Sequence, residues 1–447
     1  MIERNESNGP SGDGRAANQG ISAEEPTRRS FVRGTAAAAL GAALGALGQP
    51  RSAHAAGSDT LRIGLIGCGG RGTSAAVNAL QADSNTKLTV MADIFADRIQ
   101  QSRKTLLRQP VADRIDVPDD RCFSDFDGYK KVMESDIDVV LLCTPPHFRP
   151  AHLEAAIAAG KHVFCEKPVA VDAPGVNSVL RTVELARQKN LTIVSGLCWR
   201  YDLGVLATMK RIQDGAIGEL LTIQENYLTN TLWHRGREPS WSEMEYQIRN
   251  WMYFTWLSGD HIVEQHVHSL DKALWLMNDQ PPARCFGLGG RQVRSGEMWG
   301  HIYDHFAVCY EWPGGQKVFS HTRQMADCFN DVEDYVVGTN GTARVLAHEV
   351  APRGGAAWKF TGERPSMYDL EHQALFAGLR SGQILNNGIY MSFSTMLAIM
   401  GREACYSGQS ITWEQAMAST TSLSPTAYAW GDVPAPTVAM PGTTKAF

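Results

Sequence analysis

Glycines in a spacing that suits dinucleotide binding follow a short apolar run at residues 61–66. Gly67, Gly69 and Gly72 satisfy the pattern G-x-G-x-x-G. Between a strand and a helix, the first glycine allows a tight turn, the second lets a pyrophosphate approach the backbone, and the third lets the helix pack on the strand. Asp93 ends the next apolar run, where a carboxylate can accept hydrogen bonds from a ribose. No arginine follows Asp93 directly, so the pattern favours NAD over NADP, with a glycine-rich turn that binds nothing as the alternative.

A second group of residues has the chemistry needed to move a proton. Lys167 follows an apolar run and precedes Pro168, which stiffens the turn. Glu264, His268 and Asp271 share one face if this segment is helical, so a carboxylate can orient the imidazole. Oxidation of a secondary alcohol beside a nicotinamide needs a base for the hydroxyl proton, and Lys167 and His268 are the candidates. Glu264 is long enough to reach the substrate itself, and a solvated surface lysine is the alternative for Lys167.

Aromatic and basic side chains in residues 233–256 are candidates for a substrate-binding surface. Four tryptophans, among them Trp251, lie close to arginines and a histidine in this segment. Flat aromatic faces suit the C–H faces of sugars, whereas an oligomer contact or a lid is an equally open interpretation. Arg200 and Tyr201 follow a further predicted strand, and Arg200 either hydrogen-bonds the substrate or forms an interdomain salt bridge.

Alternating strands and helices are predicted to place these residues at one edge of a parallel sheet. The predicted strands cover residues 61–66, 87–92, 137–143, 162–165 and 192–197, and the predicted helices cover residues 75–80, 96–107, 152–159 and 173–189. This alternation is typical of a doubly wound sheet, which binds ligands at the carboxyl ends of its strands. We therefore predict a Rossmann domain over residues 56–197.

The pattern changes after residue 197. Short strands joined by hairpin-type turns are predicted at residues 220–227, 285–288, 306–311, 317–321, 334–338 and 343–347, with helices at 206–213, 261–277 and 391–406. These features predict an α/β protein whose second domain, residues 198–447, has a large, open, mostly antiparallel sheet. We expect the tail after Ser422 to run over the surface, where it can pack back on the Rossmann domain.

The first 55 residues are predicted to be a disordered start and an export signal. Residues 1–26 are polar, Arg28 and Arg29 begin a twin-arginine signal, and Ala53-His54-Ala55 resembles a cleavage site. The apolar run at residues 34–48 is too short and too rich in alanine and glycine for a stable membrane anchor. We therefore expect a periplasmic or otherwise exported protein.

The net charge and the cysteine spacing limit the kinds of binding partner and of cross-link that the chain is expected to have. A net charge of −5 over 447 residues argues against a nucleic-acid-binding surface. The nine cysteines show no C-x-x-C spacing, and a chain that folds in the cytoplasm before export has little need of disulfides. We expect the cysteines to be small core residues.

Separated motifs connect the two predicted domains to one known family. They are the glycine turn at residues 67–72 and the segments at residues 143–146 (CTPP), 159–163 (AGKHV), 166–168 (EKP), 217–219 (IGE) and 401–404 (GREA). Together they resemble the Gfo/Idh/MocA family of nucleotide-dependent oxidoreductases. The resemblance implies a Rossmann domain plus an α/β domain whose open sheet often forms an oligomer interface, so we expect a homo-oligomer. It also implies sugars, polyols or glycosides as substrates. The leader is similar to that of exported glucose–fructose oxidoreductases, which keep their nucleotide bound, so we expect tightly bound NAD.

The resemblance also implies roles for individual residues. Lys167 is similar to a family lysine that touches nicotinamide ribose and substrate, and His268 matches a family motif whose first acid, usually aspartate, is here Glu264. We expect the catalytic residues to be Lys167, His268 and Glu264. The expected cofactor-binding residues are Gly67, Gly69, Gly70, Arg71, Gly72, Asp93, Thr144, Pro145, His147, Glu166 and Lys167. The expected substrate-binding residues are Arg200, Tyr201, His266 and Trp251.

A metal site is an alternative for the same segment. His261, Glu264 and His268 are spaced i, i+3 and i+7, which would place two imidazoles and a carboxylate on one helix. Because the family motif already accounts for two of the three, we expect no metal.

Three functions fit these residues. The first is an NAD(P)-dependent oxidoreductase acting on a hydroxyl of a sugar, polyol or glycoside. The second is a glycoside hydrolase that uses NAD for transient oxidation, elimination, water addition and re-reduction. The third is a non-catalytic saccharide-binding protein, against which the presence of Lys167 and His268 argues.

Overall fold

Apolar segments separated by helices form a parallel sheet in the first part of the computed structural model, which describes residues 59–434 and 437–447. The leader predicted within residues 1–55 lies outside the described residues. The strands are β1 (Leu61–Ile66), β2 (Thr86–Ala92), β3 (Cys122–Phe123), β4 (Val139–Leu142), β5 (His162–Cys165) and β6 (Ile193–Ser195). They are ordered β3-β2-β1-β4-β5-β6 with every pair parallel, as the predicted Rossmann sheet requires.

Both faces of this sheet are covered, which explains why its strands read as continuous apolar runs. The covering helices are α1 (Gly70–Ala82), α2 (Ala96–Leu106), α3 (Gly128–Glu134), α4 (Arg149–Ala158) and α5 (Ala173–Gln188). On one face, Ala75 and Ala76 of α1 pack with Leu375 and Phe376 from the later part of the chain. The sheet core is therefore completed by residues that the predicted domain boundary assigns to the second domain.

The second sheet is large, open and mostly antiparallel, as predicted. Its strands are β7 (Leu220–Thr229), β8 (Arg284–Gly290), β9 (His305–Glu311), β10 (Lys317–Gln324), β11 (Asp331–Gly338), β12 (Gly341–Arg344), β13 (Glu349–Pro352), β14 (Trp358–Lys359) and β15 (Ile411–Thr412). They are ordered β14-β13-β12-β11-β7-β10-β9-β8-β15, and only β7 and β10 pair in parallel. The predicted strand at residues 343–347 is wrong at its end, because β12 stops at Arg344.

The helices of the later part of the chain are α6 (Leu203–Gln213), α7 (Glu243–Arg249), α8 (Thr255–Ser258), α9 (His261–Glu264), α10 (Val267–Leu276), α11 (Met367–Ser381), α12 (Gly388–Ser407) and α13 (Trp413–Ala418). Residues of α6, α9, α10, α12 and α13 pack in one core with the second sheet and cover its inner face. Burial alternates along β10, where Val318 and Ser320 face the helices and Phe319 faces outward. This period of two is what a sheet with one covered face dictates.

The predicted helix at residues 261–277 is broken after Glu264. The amide of His266 donates to the carbonyl of His261, five residues earlier, at 3.1 Å. That wider turn ends α9, and α10 begins again at Val267. Wider turns of this kind inside helices often coincide with functional sites, and here the break changes which side chains share a face.

The C-terminal tail packs against the segments that follow β2 and β3. Trp430 stacks on Phe95 with ring centroids 5.7 Å apart and lies 5.1 Å from the ring of Phe126. Tyr428 contacts Phe126 at 6.0 Å. The tail is therefore held by aromatic contacts with residues that follow β2 and β3.

All nine cysteines lie in the described part of the chain, and each is unpaired. Cys68, Cys165, Cys198, Cys285 and Cys405 are buried, in agreement with the prediction of core residues. The other four are not: Cys122, Cys143 and Cys309 are half-buried, and for Cys328, which is exposed, the prediction is wrong. Among the described residues, no helix combines the length and apolar character needed to cross a bilayer.

Candidate active site

A cavity of about 580 Å³ lies along the carboxyl edge of the parallel sheet and extends toward the second sheet. It brings together most of the residues predicted to bind cofactor or to act in catalysis. The predicted residues that line it are Gly67, Gly69, Gly70, Arg71, Gly72, Asp93, Thr144, Pro145, Glu166, Lys167, Trp251, Glu264 and His268. The members of this set from Gly67 to Lys167 follow the ends of four neighbouring strands, β1, β2, β4 and β5.

The glycine turn has the shape that a dinucleotide needs. Gly67 has φ of +95°, and a Cβ there would lie 2.6 Å from the backbone nitrogen of Thr144. A Cβ on Gly72 would lie 1.8 Å from the carbonyl oxygen of Gly67, so helix α1 packs on the turn as closely as the motif implies. A Cβ on Gly69 would have nothing within 4 Å, and no side chain caps α1. The helix N-terminus is therefore open to a phosphate from the cavity.

Asp93 lies where the ribose of a bound nucleotide is expected. Its Oδ2 accepts a hydrogen bond from the amide of Cys68 at 2.7 Å, and its Oδ1 accepts one from the amide of Phe95 at 3.0 Å. Burial raises the pKa of this carboxyl, and the two amide donors oppose that rise. Each oxygen keeps a further lone pair for a ribose hydroxyl. Arg98 and Arg235 line the same cavity, although neither directly follows Asp93 in the sequence.

Lys167 and Glu264 form an ion pair inside the cavity. The Nζ of Lys167 donates to the backbone carbonyl of Glu264 at 2.6 Å and to its Oε1 at 3.2 Å. Lys167 follows the end of β5, and Glu264 is the last residue of α9, so the pair joins the two parts of the fold. Two acceptors on one residue hold the ammonium group in place.

His268 lies in the same cavity as this pair. Its Nδ1 is buried without a hydrogen-bond partner among the described residues, so Nε2 is the nitrogen accessible from the cavity. Burial, followed by the positive charge of Lys167, lowers the pKa of His268 well below the ordinary value. The imidazole is therefore neutral near pH 7 and able to accept a proton. We call Lys167, Glu264 and His268 the proton-handling cluster.

Glu166 and Arg71 form a buried network beneath the cluster. Arg71 pairs with Glu166 and, at 2.8 Å, with Glu371 from α11. Burial would raise the pKa of Glu166, but Arg71, Arg149 and Lys167 keep it below its usual value. The guanidinium of Arg71 is therefore held by protein carboxylates at the place where the residue meets the cavity.

The structure does not bring Arg200 and Tyr201 to the cavity. Arg200 donates to Asp271 at 2.9 Å and to Asp279 at 2.7 Å, and it is almost fully buried. Tyr201 donates to the side-chain oxygen of Asn387 at 3.0 Å. Both side chains instead hold elements of the fold together. Arg200 forms a salt bridge, but with two acids of the predicted second domain, so the interdomain bridge expected for it is not formed. Asp271 is paired with Arg200 and does not orient His268, contrary to the prediction from their shared helix face.

His266 and His147 are also away from the cavity lining. The Nε2 of His266 lies 2.5 Å from the hydroxyl of Ser320, in the interior between α10 and the second sheet. The Nε2 of His147 lies 2.7 Å from the hydroxyl of Tyr428, and its ring packs edge-on against Trp256. His266 therefore points away from the face of Glu264 and His268, as helical spacing already indicates, and its side chain is buried beside Ser320.

The alternative metal site is not assembled. The Nδ1 of His261 lies 3.0 Å from the Oδ1 of Asp260, and the imidazole packs against Phe306. No group of three histidine, cysteine or acidic side chains suited to a metal occurs within residues 59–434 and 437–447.

Two profiles of one family match consecutive parts of the chain. The profile described as "Oxidoreductase family, NAD-binding Rossmann fold" matches residues 61–197, and the one described as "GFO/IDH/MocA C-terminal domain" matches residues 205–344. The chain belongs to the GFO/IDH/MocA family. It is accordingly an oxidoreductase with an NAD-binding Rossmann fold, and the NAD fit of the glycine turn agrees with this membership.

Relatives of this GFO/IDH/MocA member include enzymes of more than one kind. An inositol 2-dehydrogenase of Pseudomonas fluorescens is 28% identical over 377 residues, covering 78% of this chain and 94% of that protein. A 2,7-anhydro-N-acetylneuraminate hydratase of Escherichia coli is 28% identical over 218 residues, covering 48% of this chain and 53% of the hydratase.

Solved structures share the fold of this GFO/IDH/MocA member. A scyllo-inositol dehydrogenase from Lactobacillus casei with bound NAD(H) and scyllo-inositol has a TM-score of 0.61 at 18% identity, covering 79% of this chain and 99% of that chain. An aldose-aldose oxidoreductase from Caulobacter crescentus has a TM-score of 0.60 at 16% identity, covering the same shares of the two chains.

Sequence reasoning missed several residues of this family member's cavity. Phe126 comes from the connection between β3 and α3, and Tyr129 from the first turn of α3, in a part of the chain where the sequence pattern predicts no element. His152 also lines the cavity, 3.3 Å from the hydroxyl of Thr144. Gln265 lines it because the helix breaks there. Only the proximity of Gln265 to the Glu264 motif could have drawn attention to it.

Proposed function

We propose that this chain is an NAD-dependent oxidoreductase that acts on a hydroxyl group of a polyol or sugar. The observation that carries the proposal is the shared cavity: the proton-handling cluster opens into the same space as the glycine turn and Asp93. Relatives named inositol 2-dehydrogenase support a polyol as the substrate class. Trp251 supplies an aromatic wall suited to the C–H face of such a ring.

The three residues of the proton-handling cluster have different roles in proton transfer. Bound NAD would supply the hydride acceptor. His268 is neutral and presents Nε2 to the cavity, so it takes the proton of the substrate hydroxyl during oxidation and returns it during reduction. Lys167 places a positive charge beside the substrate oxygen as negative charge develops there. Glu264 holds that ammonium group at two points, so its first role is to position Lys167.

Tightly bound nucleotide is part of the proposal. Phe95 and Phe126 line the cavity near Asp93 and pack in one apolar cluster with Ile248 and Trp251 from the second part of the fold. Trp430 of the tail covers Phe95 and Phe126 from outside. Release of the nucleotide therefore requires separation of packed aromatic groups. The position of Asp93 favours NAD, since a 2′-phosphate there would meet a like charge.

Export by the twin-arginine route is proposed from the leader alone. The support is the segment from Thr27 to Arg33 and the cleavage-like site ending at Ala55. The route exports folded proteins, which suits an enzyme that carries its nucleotide with it. Cell fractionation of the native chain and of a variant with both arginines changed to lysine tests this, and equal periplasmic amounts of the two would refute it.

A homo-oligomer formed through the second sheet is proposed from an uncovered apolar face. Phe286 and Phe319 are each register partners of Cys309, so they lie on the same face of the sheet. Phe286 is 44% exposed, Phe319 38% and Leu288, on the neighbouring row, 79%. Exposed apolar patches of this kind mark interaction surfaces. Light scattering on the purified protein checks the state, and a monomer at micromolar concentration would contradict it.

Glycoside hydrolysis through transient oxidation is the second candidate. Glu264 favours it, because a carboxylate that lines the cavity beside Lys167 can act as the additional acid or base that elimination requires. A relative whose name is hydratase, not dehydrogenase, also supports chemistry without net redox change.

One set of measurements separates these functions. Purified protein is denatured and the released nucleotide is identified by mass spectrometry, and then polyols, sugars and nitrophenyl glycosides are offered to the native protein. Reduced nicotinamide formed in proportion to substrate supports the dehydrogenase, whereas nitrophenol release without added nucleotide supports hydrolysis. If Lys167→Ala and His268→Ala both retain full activity, the cluster is not the active site.

A further inference from the structure

We propose that Gln265 is a substrate-specificity residue that donates its side-chain amide to an acceptor oxygen next to the reacting carbon, with Gln324 and Arg294 setting its polarity. The inference rests on the proposed function, because it names what the same site recognises in a polyol or sugar. It begins from the helix break. Gln265 is the residue at which α9 ends, and it lines the cavity beside Glu264 and His268.

A chain of hydrogen bonds fixes which end of the Gln265 amide faces the cavity. The guanidinium of Arg294 donates to the Oε1 of Gln324, and the Nε2 of Gln324 donates to the Oε1 of Gln265 at 2.7 Å. A guanidinium has no acceptor, so Gln324 must present its oxygen to Arg294 and its nitrogen to Gln265. Gln265 must then accept with its oxygen. Its NH2 group makes no hydrogen bond to another residue within the described chain, and it is left to face the cavity.

Arg294 is held firmly enough to impose this order. It is 1% exposed, as is Gln324, and its guanidinium also donates to the carbonyl of Tyr303 at 2.8 Å. The amides of residues 292–294 all donate to the Oδ2 of Asp304, at 2.7, 2.8 and 3.1 Å. Within the described chain, the guanidinium of Arg294 therefore has two acceptors, the carbonyl of Tyr303 and the Oε1 of Gln324. The amide of Gln265 is thus oriented from behind, by residues that do not meet the substrate.

The exposed group of Gln265 determines what it can recognise. An amide NH2 donates and cannot accept, so it matches a hydroxyl, ring or carbonyl oxygen of the substrate. A substrate that lacks this oxygen leaves the donor unpaired in a confined cavity, which costs affinity, and an ammonium group there would meet a like dipole. The structure therefore assigns Gln265 to select polyols and sugars that keep an oxygen substituent beside the reacting carbon.

The test compares binding of a polyol and its single-position deoxy analogues to nucleotide-loaded protein. Titration calorimetry gives dissociation constants for the wild type and for Gln265→Met, which removes the donor. Gln324→Glu is the sharper variant: a carboxylate at position 324 can only accept, so it turns the NH2 of Gln265 away from the cavity without changing Gln265. Gln409→Glu, at an exposed position, is the matched control.

We expect the wild type to prefer the complete polyol over one deoxy analogue by about tenfold or more. Gln265→Met and Gln324→Glu should both reduce that preference to roughly twofold, while Gln409→Glu keeps it. If Gln265→Met or Gln324→Glu retains the full preference, the inference is overturned. A wild-type protein that retains its nucleotide but neither binds nor oxidises any polyol or sugar refutes the proposed function, and the inference with it.

Discussion

Replacing Glu264 by glutamine tests whether the carboxylate only positions Lys167 or also moves a proton itself. The change removes the negative charge but keeps an acceptor oxygen at the same reach. The Nζ of Lys167 lies 3.2 Å from Oε1 and 2.6 Å from the backbone carbonyl, and the backbone bond survives the substitution. Lys167 therefore stays in the cavity, and the effect measured is that of the charge.

The magnitude follows from the burial of the pair. The side chains of Lys167 and Glu264 are 14% and 15% exposed, so the pair is neither a surface pair nor fully desolvated. At an effective dielectric constant of about 20, two unit charges at this separation attract by roughly 5 kcal/mol, most of which desolvation offsets. A net loss of about 1–2 kcal/mol corresponds to roughly a tenfold fall in kcat/KM. The bound nucleotide content should not change.

The assay is the absorbance of reduced nicotinamide formed from a polyol substrate, with nitrophenyl glycoside turnover measured in parallel. Glu349→Gln is the matched control, because Glu349 makes an exposed ion pair with Lys359 at 2.8 Å, and it should leave both rates unchanged. A Glu264→Gln enzyme within about twofold of wild type would refute a contribution of the Glu264 charge to the action of Lys167. A loss of about a thousandfold would instead mean that Glu264 transfers a proton directly.

Four further predictions concern the pH dependence of rate and of stability, the glycine turn and the tail. Because burial lowers the pKa of His268 well below its ordinary value, the oxidation rate should not decline between pH 7.5 and 6, where an ordinary imidazole with a pKa of about 6.5 becomes protonated; a decline centred near 6.5 in a pH–rate profile would contradict this. The same lowered pKa means that only the unfolded chain binds the proton, so His268 should make thermal stability fall as the pH drops below about 6.5. Gly72→Ala should lower the free energy of unfolding by about 1–3 kcal/mol and abolish nucleotide retention, because the added Cβ would overlap the carbonyl of Gly67. Nucleotide retention is measured by absorbance, and retention at the wild-type level would exclude this tight packing. Trp430→Ala should speed nucleotide release up to roughly tenfold, because it removes the contacts with Phe95. Release is followed by fluorescence after dilution, and an unchanged rate would show that the tail does not retain the nucleotide.

The local sequence pattern was sufficient to predict most of the strands and helices and part of the cavity lining. The strands at residues 61–66 and 162–165 were predicted to the residue, because buried parallel strands are continuous apolar runs that end in glycine or proline turns. The helix at residues 367–381 was not predicted. Its apolar face packs directly against α1 on one face of the parallel sheet, nearly 300 positions away in the chain, and no pattern within a short window reports such a partner.

Residues that act through spacing along a regular element were the least predictable. The expected face shared by Glu264, His268 and Asp271 assumed one continuous helix, whereas the wider turn after Glu264 starts a new helix that contains both His268 and Asp271. Glu264 and His268 line the cavity, Asp271 bonds to Arg200, and His266 lies in the interior. A helix break of one residue changes the direction of every following side chain by about 100°. That rotation depends on packing against the second sheet and is not encoded in helix periodicity.

The sequence by itself determined the chemistry available to this protein: a glycine turn for a dinucleotide, an acid at the next strand end, and a lysine, a glutamate and a histidine able to handle a proton. These follow from residue type and short-range spacing, which local backbone geometry enforces. Only the tertiary structure decided which of them meet. Lys167 and Glu264 are separated by 97 positions, and they pair because β5 and α9 end at the same cavity. The same packing removed Arg200 and His266 from the site and brought Gln265 into it, since long-range contacts choose the direction of side chains wherever a helix or strand is interrupted.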